Sequence, residues 1–145
     1  MTSDGGRLRR ARLIERLRSA EQRQAAAEAH RAEAVRQKLE QLSERTRTLA
    51  QVYALRDTSR DGADLRSAAV LGSHLRDLGA TAAKQAEHAR READDRLADL
   101  AVAERRLQKA EEGRRDLARE IHEKVEKREP IGARNGARKT GTHLE

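Results

Sequence analysis

The chain has 145 residues, 39% of them charged and 1% aromatic, with no Phe, Trp or Cys and a single Tyr at position 53. A core built on large aromatic side chains is therefore excluded, as are disulfides, thiolate metal sites and cysteine nucleophiles. The formal charge is +7, which makes acidic surfaces natural partners, and Ala and Leu far outnumber β-branched residues, which favours helix over sheet.

The charge is unevenly spread. Residues 1–56 carry 13 Lys and Arg against 7 Asp and Glu, a net of +6; residues 57–112 carry 10 against 12, a net of −2; residues 113–145 carry 9 against 6, a net of +3. The N-terminal arginines are followed by no apolar stretch of signal-peptide type, and runs such as residues 68–71 are far too short to span a bilayer. A soluble protein is expected.

In chain order, residues 1–6, with Asp4, Gly5 and Gly6, read as a disordered lead. From residue 7 to residue 56 neither Pro nor Gly occurs, which predicts one long helix. Its apolar positions Ala32, Val35, Leu39, Leu42, Thr46, Leu49 and Tyr53 step by three and four, the signature of a coiled-coil seam. Upstream, Leu13, Leu17 and Ala20 form a row out of phase with it, which predicts a discontinuity over residues 24–28.

Residues 57–64 concentrate Asp, Ser, Thr and Gly, the chemistry of a turn, and predict a hairpin tip in which Asp61 or Asp64 caps the next helix. The second helix is expected over 65–129. Leu71, Leu75, Leu78, Ala82, Ala86, Ala89, Ala93, Leu97 and Leu100 follow a hendecad step, and Ala103, Leu107, Ala110, Arg114, Leu117 and Ile121 return to heptads. Pro130 should end this helix. Residues 130–145, with three Gly among Arg and Lys, read as a disordered basic tail. The fold class is all-α: a long antiparallel two-helix coiled-coil hairpin with that tail. A tip centred near residue 60 pairs position i with about 121 minus i, placing Leu49 beside Gly72 and Leu39 beside Ala82. Gly72 and Gly79 then read either as points of close helix approach or as local weakness in the second helix.

No catalytic, cofactor-binding or metal-binding residues are expected. A two-helix hairpin offers no concavity that could bury a substrate. His30, His74, His88, His122 and His143 are scattered singly, without the i,i+4 spacing by which a helix ligates metal. The arginine-rich start, Arg7, Arg9, Arg10, Arg12, Arg16 and Arg18, admits a solvated helix face, an acidic protein partner, or nucleic acid. Nucleic acid is the least favoured, since stacking aromatics and a basic-zipper arrangement are both missing. As the sole aromatic, Tyr53 is the candidate binding anchor.

The layout resembles the flagellar type III export stalk proteins, the J component of the flagellar export ATPase complex, and their injectisome counterparts. The shared features are the length, the long antiparallel hairpin with an Arg-rich helix start over 7–18, the Leu/Ala seam near the tip, and the charged helix over 104–128 that leads into a basic tail. The several tip aromatics of some members are missing here. The resemblance implies a cytoplasmic, non-enzymatic protein without cofactors, associated with the inner membrane through the export apparatus. Its helix ends would insert into the hexameric export ATPase ring, its tip would contact the membrane-embedded export gate, and export chaperones would be further partners. By position, the gate-facing residues would be Leu42, Leu49, Tyr53, Leu71, Leu75 and Leu78. The ring-facing residues would be Arg9, Arg10, Arg12, Arg16, Arg119 and Lys124. The alternative is a basic coiled-coil scaffold that binds nucleic acid or other anionic surfaces. A monomer or weak dimer is expected, and the breaker at 57–64 argues against one unbroken helix in a parallel dimer.

Overall fold

The computed structural model describes residues 3–55 and 62–140, with side chains described for 3–54 and 62–128. Helix α1 spans Asp4–Leu55 and α2 spans Gly62–Thr140, and no strand occurs among the described residues. The helices pack against each other antiparallel: Asp4 meets Lys124, Glu15 meets Arg114, and Glu28 meets Arg96.

The start of α1 differs from the expected disordered lead. Ser3 is an N-cap, its Oγ accepting from the Gly6 amide at 3.1 Å while its carbonyl accepts from the Arg7 amide at 3.0 Å. The side-chain bond satisfies one of the amides that a helix start leaves without a partner. Asp4 then places a carboxylate at the positive end of the helix dipole and pairs with Arg7 at 3.6 Å. These gains offset the ~1 kcal/mol that each of Gly5 and Gly6 costs in a helix. At the other end of the hairpin, residues 57–61 of the expected tip and the candidate cap Asp61 lie outside the described residues. Asp64 stands within the first turn of α2, beside the dipole and not in the capping position.

The C-terminal end of α2 also differs. The helix does not stop before Pro130 but runs to Thr140. Proline's fixed φ lies in the helical range, so a helix can pass through it, at a cost of ~3 kcal/mol for the lost donor and the crowded preceding turn. Residues 141–145 of the expected tail lie outside the described residues.

The chain forms two compact units, one of residues 1–22 with 102–145 and the other of residues 23–101. In the second unit the α1 positions turned toward α2 are Ala25, Ala29, Ala32, Arg36, Leu39, Ser43, Thr46, Ala50 and Tyr53. Those of α2 are Ala68, Gly72, Leu75, Gly79, Ala82, Ala86, Ala89, Ala93, Arg96 and Leu100. Both rows are strict three-and-four heptads, so the hendecad expected in α2 is absent. In the first unit Leu8, Ala11, Glu15, Arg18 and Gln22 continue the same spacing along α1. The expected discontinuity over 24–28 and the row of Leu13, Leu17 and Ala20 are therefore both overturned. On α2 of that unit, Ala103, Leu107, Ala110, Arg114, Leu117 and Ile121 are turned inward, as the heptad spacing predicts.

The seam prefers small side chains. The buried residues are Ala29, Ala82, Ala86, Ala89, Ala93 and Ala103, with Ala93 only 1% exposed, while Leu42, Leu71, Leu78 and Leu97 are left outside. Alanine rows permit closer backbone approach than rows of leucine would. The pairing register moves accordingly. Glu28 meets Arg96, whose numbers add to 124, and Gly79 faces Thr46, whose numbers add to 125. Partners thus lie about one helical turn from the 121-minus-i pairing, and Gly79 faces Thr46 where Leu42 was expected.

Candidate partner-binding surfaces

In the first unit, packing of Glu15 on Arg114 and of Asp4 on Lys124 brings the arginine-rich start of α1 beside the α2 residues 114–124. Charges here divide into two groups. Arg7 pairs with Asp4, Arg18 donates to Glu21 at 2.9 Å, Arg114 bonds Glu15, and Lys124 pairs with Asp4 at 3.9 Å and Glu120 at 3.8 Å. Arg9, Arg10, Arg12, Arg16 and Arg119 are exposed, and among the described residues none has a carboxylate within ion-pair distance. Of the six basic residues expected to face a partner, five are thus unpaired, and Lys124 is engaged within the hairpin. The sequence reading missed the apolar companions of these arginines: Leu13, Ile14 and Leu17 are each more than half exposed. Their exposure follows from the position of the seam, which takes Ala11, Glu15 and Arg18 instead.

In the second unit the six residues expected at the tip separate. Tyr53 and Leu75 are half-buried in the seam, where Tyr53 shares a groove of about 250 Å³ with Leu65, Ala68 and Gly72. Leu42, Leu49, Leu71 and Leu78 are exposed, Leu49 by 50% and Leu78 by 59%. Each stands immediately before a seam residue: Ser43, Ala50, Gly72 and Gly79. In an antiparallel pair these rows fall on the same side of the interface. The arrangement is visible at Val35, which precedes Arg36 and lines a groove of about 380 Å³ with Gln85 and Glu92 of α2. Val35, 52% exposed, therefore belongs to the same face and was missed as a site residue. The opposite side carries Glu40, Glu44, Glu87 and Arg90.

The polar residues of the seam hold charge by local networks. Arg36 donates to Glu33 and, at 2.9 Å, to Glu40. The bond from Arg36 lowers the Glu33 carboxyl from its ordinary value, and the two carboxylates raise the Arg36 guanidinium. Arg96 donates to Glu92 at 3.0 Å and reaches Glu28 across the seam at 3.4 Å, with Asp99 at 3.6 Å; these carboxylates raise it, Glu92 foremost. The flanking acids at i−3 and i+4 of Arg36 and i−4 and i+3 of Arg96 were readable in the sequence. They mark arginines that a seam can accommodate.

Among the described residues no three His, Asp or Glu side chains come together as a metal site, and no helix is long and apolar enough to cross a membrane. No family model matches the sequence, and no curated protein and no solved structure matches it.

Proposed function

We propose that this chain is a non-enzymatic coiled-coil adaptor whose arginine-rich end docks on an acidic protein surface. On the layout it shares with flagellar export stalk proteins, we assign that surface to a type III export ATPase ring. The supporting observation is the exposed, unpaired set Arg9, Arg10, Arg12 and Arg16, beside arginines that the hairpin does pair. What sets these four apart from other exposed arginines is their density, four within residues 9–16, whereas Arg36 and Arg96 are each matched by nearby carboxylates. Guanidinium groups left free suit planar, bidentate recognition of carboxylates. Individually such pairs contribute only ~0–1 kcal/mol, so a cluster acts mainly on association rate and specificity.

The test is the triple substitution Arg9→Glu, Arg10→Glu and Arg12→Glu. Helix content should survive, because Glu suits the N-terminal half of a helix as well as Arg does. Docking on the export ATPase and stimulation of its turnover should fall sharply, and docking of the parent should weaken as salt rises. Undiminished stimulation by the triple variant would overturn the assignment. Binding of mixed-sequence DNA with a steep salt dependence, lost in the same variant, would favour the anionic scaffold instead.

A further inference from the structure

We infer that the apolar face of the second unit is a self-association surface, on which a second copy of this chain packs to form a four-helix bundle. The face carries Val35, Leu42 and Leu49 of α1 and Leu71 and Leu78 of α2, all 40% to 59% exposed. These residues flank a seam whose buried members, among the described residues of this unit, are alanines. Five large aliphatic side chains are thus arrayed beside the seam and outside it. A four-helix bundle encloses such rows between facing helices.

The face comes close to the dimensions a dimer needs. Residues 31–52 of α1 extend ~32 Å at ~1.5 Å per residue, and two helices side by side are ~20 Å wide. The resulting ~600 Å², before side-chain relief is added, approaches the ~800 Å² per partner of a stable interface.

Charge favours one orientation of the copy. The α2 edge of the face is mixed, since exposed Lys84 and Arg91 stand on the row of Asp77, with Arg91 paired to Glu87. The α1 edge is basic, with exposed Arg31, Lys38 and Arg45, and the acids that the α2 edge offers it are the exposed Asp77 and Asp95. None of these five has an ion-pair partner among the described residues. A two-fold axis parallel to the helices lays α1 of one copy on α2 of the other. It brings Arg31 to the level of Asp95 of the second copy, because Glu28 and Arg96 are level within one copy. A two-fold axis perpendicular to the helices would set the Arg31, Lys38 and Arg45 rows against each other. An isologous interface uses one patch twice, and this patch supplies acids of its own, Asp95 and Asp77, for two of its three basic α1 residues.

The experiment uses the purified full chain without any other protein, so its outcome is separate from docking at the arginine-rich end. Sedimentation equilibrium of the parent at ~10 µM should give twice the 16.3 kDa chain mass. Leu42→Gln with Leu49→Gln should raise the dissociation constant by at least ~10-fold and leave helix content unchanged, because neither residue lies in the seam. Leu39→Gln, a seam position, should instead lower helix content and serves as the contrast. Arg31→Asp should weaken the dimer, and adding Asp95→Arg to it should restore it. A parent that remains monomeric at ~100 µM, or a dimer insensitive to the Leu42 and Leu49 substitutions, would overturn the proposal.

Discussion

A Cβ built on Gly72 meets no heavy atom within 4 Å, and one built on Gly79 meets the Thr46 Cγ2 at 3.7 Å, an ordinary van der Waals contact. Both glycines lie in the seam of the second unit, yet neither is required by close approach of the partner helix. Each costs ~1 kcal/mol relative to alanine through the backbone freedom it must lose. Gly72→Ala and Gly79→Ala should therefore each raise stability by ~0.5–1 kcal/mol, measured by chemical denaturation monitored by helix content. Loss of stability in either variant would mean that the backbones approach more closely than these distances indicate. Of the two readings of these glycines, local weakness of α2 is the one with physical support, and it places that weakness beside Tyr53 and the exposed Leu71 and Leu78.

At the scale of the helix, the Glu33–Arg36–Glu40 cluster couples stability to pH. The Glu33 carboxyl is lowered by the bond from Arg36, so its ionised form favours the folded helix. That contribution is fully present above the unfolded carboxylate value and is lost as pH falls through the lower folded value. Parent and Glu33→Gln should differ in denaturation midpoint at neutral pH and converge on acidification; a difference that persists in acid would place the effect elsewhere. The same cluster explains what the sequence made legible. The three-and-four period of α1 was readable, and Ala32, Leu39, Thr46 and Tyr53 lie in the seam as expected. The phase of the alternate positions was not: Arg36, Ser43 and Ala50 replace Val35, Leu42 and Leu49, a shift of one residue or ~100° around the helix. Apolarity favours the second set, and only the alanine-rich face of α2, together with the acids flanking Arg36, selects the first. Likewise the cap at Ser3 was present in the sequence, but the adjacent Gly5 and Gly6 obscured it. For the candidate surfaces, the arginine-rich start needed no structure to find, whereas the apolar face exists only once the seam is placed.

For the hairpin as a whole, alanine packing fixes closeness better than register. One alanine layer resembles the next, so a slip of one turn costs little apolar burial, and the ionic layers must discriminate. These are Arg114 with Glu15 and Lys124 with Asp4 in the first unit, and Arg96 with Glu28 in the second. The chain contains no cysteine, so introduced pairs report the register cleanly. Thr46→Cys with Gly79→Cys should oxidise to an intramolecular disulfide, because the Thr46 Cγ2, a γ-position atom as a cysteine sulfur is, lies 3.7 Å from a Cβ built on Gly79, within the reach of a disulfide. Leu42→Cys with Gly79→Cys should remain reduced, since one turn along α1 displaces the partner by ~5.4 Å. Non-reducing electrophoresis and thiol titration at high dilution distinguish the two. If the Arg96 layer sets the register, then Arg96→Ala should permit slippage and let the Leu42→Cys pair oxidise as well. Faster oxidation of that pair in a chain retaining Arg96 would show that the helices pair one turn away from Thr46 and Gly79.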